Sequence, residues 1–86
     1  MRPSPMDPDR TMLRGNIEVK LTADGSRWYV VACSANIGNT KSIAFPSAGF
    51  FLAKDTAITE MKHRIMAWFR KHGRKETEEK VEWRVP

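Results

Sequence analysis

Residues 55–73 read as one amphipathic helix, and whatever else the chain forms has to cover its apolar stripe. At 100° per residue, Ala57, Ile58, Met61, Ile65, Trp68, Phe69 and His72 fall within an arc of about 120°, with Thr59, Glu60, His63, Arg70 and Lys71 opposite. Thr56 is suited to cap the start, and Asp55 puts negative charge where the helix dipole favours it. Arg70, Lys71 and His72 in the last turn, followed by Gly73, mark the end. No Pro or Gly interrupts the interior.

The stripe needs a sheet to pack on, and the flanking sequence supplies strands. Ile17, Val19 and Leu21 alternate with Glu18, Lys20 and Thr22, the pattern of a half-buried strand. Asp24-Gly25 is a type I′ hairpin signal, and the β-branched and aromatic run from Arg27 to Ser34 follows it. A two-residue turn there sets Leu21 opposite Trp28, Val19 opposite Val30 and Ile17 opposite Ala32. One face is then apolar throughout. Residues 35–41 have loop composition. A third strand comes from Ser42–Phe45 or from Gly49–Ala53, and the apolar run before the helix favours the second. After a charged connector, Val81, Trp83 and Val85 alternate with Lys80, Glu82 and Arg84 as a final strand. The expected architecture is a single small α+β domain of order β-β-β-α-β. It combines an antiparallel hairpin, a third strand, one helix on the sheet and a closing strand.

Residues 1–15 hold Pro3, Pro5 and Pro8 among alternating charges and show no hydrophobic period. Such a segment buries too little to offset its ordering entropy, so a disordered tail is expected there, with the domain spanning residues 16–86. Eighty-six residues hold one domain at most. The lone cysteine, Cys33, excludes an internal disulfide framework, and with no long apolar run the expectation is a cytoplasmic protein free of membrane contact.

Chemistry is hard to find. His63 and His72 point to opposite faces of the helix, and the Asn36–Ser42 segment lacks the glycine spacing of a phosphate loop. No nucleophile context or acid–base pair stands out, so neither an enzyme nor a cofactor or metal site is expected. The net charge of +5 permits nucleic-acid contact without demanding it. If nucleic acid is the ligand, Lys62, Arg70, Lys71, Arg74 and Lys75 around the helix end are the candidates, although positive charge there also suits the helix dipole.

A protein partner is the better expectation. One helix covers only one side of a small sheet, and the unbroken hairpin register turns Trp28, Val30 and Ala32 toward it. Tyr29, Val31 and Cys33 then face away, together with one of Phe50 or Phe51, of which Phe50 is taken as the contact residue. An apolar patch on that face points to a homodimer or to another docked protein.

The stretch Phe45–Phe69, FPSAGFFLAKDTAITEMKHRIMAWF, resembles the N-terminal domain of HicB-type antitoxins. The shared features are a Phe-Pro segment, a Gly, a short strand and a helix opening Asp55-Thr56, with Gly25 and Tyr29 on the preceding hairpin. The resemblance implies a partial ribonuclease-H-like β-β-β-α-β fold without nuclease residues, which binds and blocks a small ribonuclease toxin. Residues 35–44 are an insertion against that pattern, and the positive net charge departs from the acidity expected of an inhibitor of a basic toxin.

Overall fold

Alternation and burial together define the sheet. The computed structural model describes residues 12–47 and 49–85. Over them run β1 (Leu13–Leu21), β2 (Trp28–Ile37), β3 (Lys41–Ala44), β4 (Phe50–Phe51), the helix α1 (Lys54–Lys71), a 3₁₀ turn (Glu78–Lys80) and β5 (Val81–Arg84). The strands lie in the order β3-β2-β1-β5, with β4 also paired to β2. β1, β3 and β4 are antiparallel to β2, and β5 runs parallel to β1. The chain is thus a small α+β domain, a mixed five-stranded sheet with one helix packed on it. A two-residue strand has been added to the expected order.

The boundary expected at residue 15 is wrong. Leu13 is 1% exposed, and Leu13–Asn16 pair with all four residues of β5. Gly15 masked the pattern, because a strand position without a side chain reads as a break. Its reason is packing: a Cβ there would lie 2.6 Å from Trp83 Cε3 and 3.3 Å from Ile65 Cδ1. Residues 1–11, the rest of the expected tail, lie outside the described residues.

The hairpin keeps its expected register for Leu21–Trp28 and Val19–Val30, and then slips. A bulge opposite the Glu18–Val19 step pairs Glu18 with Ala32 and Ile17 with Cys33, in place of the expected Ile17–Ala32 pair. Val31 is the extra residue. Strict alternation would turn Ala32, Ser34 and Asn36 toward the helix. The slip instead buries Cys33, Ala35 and Ile37 and leaves Ala32 exposed, exchanging two polar side chains for apolar ones in the core. The turn also differs from type I′, since only glycines take positive φ; Gly25 does, at 76°, and Asp24 does not. Asp24 instead accepts hydrogen bonds from the Thr22 hydroxyl (2.6 Å), the Ser26 hydroxyl (2.8 Å) and the Ser26 N–H (3.1 Å), which hold its carboxyl down at about 2. The resulting loop spans the same number of positions, so the register near it is unchanged.

Beyond the bulge, Ala35–Ile37, expected in a loop, continues β2, and a turn at residues 38–40 leads into β3. The longer third strand is therefore Lys41–Ala44; the favoured stretch, Gly49–Ala53, contributes only the two residues of β4. Gly38, at φ 53°, allows this second hairpin, and Thr40 closes it by donating its N–H and hydroxyl to the Ile37 carbonyl.

Helix α1 opens at Ala53, which has extended backbone and no capping side chain, so Thr56 is not the cap. Its end is as the sequence indicates. Gly73 takes φ 81°, its N–H donates to Arg70 O at 3.0 Å, and the Arg74 N–H donates to Phe69 O at 3.0 Å, a Schellman closure. The buried row is Ala57, Met61, Ile65 and Phe69, a strict i, i+4 line. Ile58 and Trp68 are half-buried beside it, while His72 lies exposed with its ring 4.8 Å from that of Trp68. The row closes on Leu13, Ile17, Val30, Cys33, Ala35, Ile37 and Val81 to form one core.

Candidate functional site

With α1 on one side, the other side of the sheet carries no element among the described residues. Pairing partners share a face, so the register assigns the side chains there. Arg14, Asn16, Glu18 and Lys20 come from β1, Tyr29 and Val31 from β2 with Ala32, Ser34 and Asn36 beyond the bulge, Phe50 from β4, and Glu82 and Arg84 from β5. The β1 and β5 side is polar and partly self-paired. Arg14 Nε donates to Glu82 Oε1 at 2.7 Å, and Asn16 Nδ2 to Ser34 Oγ at 3.2 Å.

The β2 and β4 side is apolar from Tyr29 to Ala32 and at Phe50. Phe50 is 62% exposed and Val31 45% exposed, and the Phe50 ring meets Tyr29 edge-on with centroids 6.3 Å apart. Three of the four expected contact residues are therefore where the sequence reading put them. Phe51, the neighbour of Phe50, turns inward onto the core. An open groove of about 510 Å³ crosses this face, lined by Arg84 of β5, Asn16 and Glu18 of β1, Val31 and Ala32 of β2 and Ala44 of β3. Sequence reasoning missed Leu52, 86% exposed at the helix entry, and Leu21, 46% exposed. Leu52 carried a signal, an apolar residue in the turn before a helix with no stripe position to occupy.

Cys33 is the fourth expected residue, and it is not on this face. The bulge turns it into the core, where it is 4% exposed and burial pushes its thiol up to about 11. The native protein should resist thiol reagents at pH 8 and react within minutes once denatured. Rapid labelling of the folded protein would return Cys33 to the surface.

The five basic candidates do not form one free patch. Arg70 Nη1 donates to Glu76 O at 2.8 Å, and Arg74 is ion-paired with the Glu76 carboxylate, with Nε to Oε1 at 3.1 Å. That pairing holds the Glu76 carboxyl down at about 2. Arg70 thereby fastens the connector to the helix end, and the Arg74–Glu76 pair braces the connector itself. Lys62 lies about 12 Å along the helix from Arg70, its Nζ 5.1 Å from the Trp83 ring centroid. Lys71 and Lys75 remain exposed.

Among the described residues no group of three or more His, Cys, Asp or Glu is placed to hold a metal ion, and no helix is long and apolar enough to cross a membrane. No protein-family model, no curated protein and no solved structure matches this chain.

Proposed function

We propose that this domain is a non-enzymatic binding module whose ligand is another protein, docked on the open face of the sheet. The observation that carries the reading is the exposed Phe50 ring set edge-on against half-buried Tyr29, beside exposed Val31. A sheet face left to water normally alternates to polar residues, and β1 does so while Tyr29, Val31 and Ala32 of β2 and Phe50 of β4 do not. Aromatic anchors bordered by polar groups, here Lys20 opposite Tyr29, and Asp24, Ser26 and Arg27 beside Phe50, are the composition of protein-contact surfaces. A HicB-like antitoxin acting on a small ribonuclease is the particular form that the resemblance at Phe45–Phe69 implies. Nucleic-acid binding through the helix end is the weaker reading, because Arg70 and Arg74 are engaged with the connector.

The test is site-specific photo-crosslinking in the cells that make the protein, with the reactive group placed at Val31 or at Lys71. One discrete protein adduct is expected from position 31 and not from position 71. No adduct from position 31, or a nucleic-acid adduct from position 71, would overturn the reading.

A further inference from the structure

β5 is the terminal strand of the sheet order, so the outer edge of Val81–Arg84 meets no strand among the described residues. An uncovered edge presents a row of N–H and C=O groups ready to pair, and proteins commonly blunt such edges with charge. The charges on this edge have an order. Glu82 and Arg84 are exposed on the open face and flank Trp83, which turns to the helix side. There Trp83 is half-buried, with its indole N–H donating to Glu78 O at 3.0 Å.

We propose that β5 is the seat of a two-fold homodimer, pairing antiparallel with β5 of a second copy in a register centred on Trp83. In that register Glu82 lies opposite Arg84 of the partner subunit, and Arg84 opposite the partner's Glu82. Opposite charges directly across an antiparallel pair are stabilising, and like charges are destabilising. Val81 and Val85 meet in the same way on the helix side, extending the apolar surface around the two tryptophans. Glu82 already uses Oε1 for Arg14, which leaves Oε2 for the second cation.

The same charges reject the neighbouring registers. Centring on Glu82 sets Glu82 against its own copy and Lys80 against Arg84. Centring on Arg84 sets two arginines face to face. A one-residue slip would pair Glu82 with Trp83, which lie on opposite faces, and so breaks the two-fold. The pattern therefore favours the register centred on Trp83 over those centred on the charged residues to either side of it, which indiscriminate edge charging would not do. The other sheet edge, Lys41–Ala44, carries a single charge and has no such complementarity. Pairing about a two-fold normal to the sheet leaves both open faces on one side, so the dimer is independent of the proposed docking face and presents it twice.

Charge reversal with rescue tests the pairing. Sedimentation equilibrium of the full chain should show a dimer that weakens with added salt. Arg84→Glu alone and Glu82→Arg alone each turn two symmetry-related pairs repulsive and should weaken dimerisation at least about tenfold. Circular dichroism should be unchanged, since both side chains are exposed. In an equimolar mixture of the two variants, positions 82 and 84 are both acidic on one chain and both basic on the other. Every cross-strand pair is then attractive again, and a heterodimer should return. A wild-type monomer at millimolar concentration, variants that dimerise as wild type does, or a mixture that stays monomeric would each overturn the proposal.

Discussion

A chain truncated to begin at Asn16 is expected to be unfolded at room temperature, whereas one beginning at Met12 keeps every contact of the described fold. The two differ by four residues. Leu13 is among the largest fully buried side chains, and losing one of that size costs about 2–5 kcal/mol. Leu13, Arg14 and Gly15 are also three of the four residues that hold β5 in the sheet. Without them Val81 loses its strand partner, and Trp83 loses the glycine against which its ring lies. A domain of this length is stable by on the order of 4–13 kcal/mol in total, so the combined loss reaches the whole. Far-ultraviolet circular dichroism and urea titration of the two truncations decide it. A cooperative transition of similar midpoint in both would show that β1 begins later.

Phe69→Ala should be the most damaging single substitution in the helix. Phe69 is fully buried, and the expected cost of about 3–5 kcal/mol corresponds to a fall in melting temperature of roughly 15–30 °C in a domain this small. The ring anchors the helix end that its own carbonyl closes by accepting from the Arg74 N–H, so loss of packing there also loosens the connector to β5. Ile65→Ala, at the same depth one turn earlier, should cost about 2–5 kcal/mol. Trp68→Ala should cost less than Phe69→Ala, because Trp68 is half-buried with one flank against the exposed His72 ring. Thermal melts of the three variants rank them; a larger loss at Trp68 than at Phe69 would mean that the helix is rotated about its axis.

That ranking shows where reading the sequence stops. The stripe of α1 is legible because a 3.6-residue period has one apolar side whatever it packs on, and Gly73 marks the helix end by its own backbone freedom. Which part of the stripe is deepest depends on the sheet beneath. β1 and β2 receive the Ala57–Met61–Ile65–Phe69 line and leave Trp68 at the margin. The charged connector was likewise visible as composition, but the Arg70 contact with the Glu76 carbonyl exists only because the chain turns back on the helix end after Gly73.

On the candidate face the division falls within single strands. Tyr29 and Val31 were legible as outward residues by alternation from a hairpin turn, a local property of the backbone pleat, whereas the choice of Phe50 over Phe51 rests on the pairing of β4 with β2. Cys33 was misplaced because alternation assumes an unbroken ladder, and the bulge at Val31 breaks it. The bulge follows from a comparison no local rule makes: burying Cys33, Ala35 and Ile37 under α1 is favoured over burying Ala32, Ser34 and Asn36. Leu13 and Gly15 entered β1 for a similar reason, since β5, about 70 residues later in the chain, supplies Val81 and the Trp83 ring. The sequence by itself determined the element types, the helix stripe and the hairpin register near its turn, because each rests on contacts a few residues apart. The tertiary structure decided the bulge, the start of β1, the length of β3 and the outer edge of β5. Each of these minimises the polar surface buried and the apolar surface exposed over the whole domain.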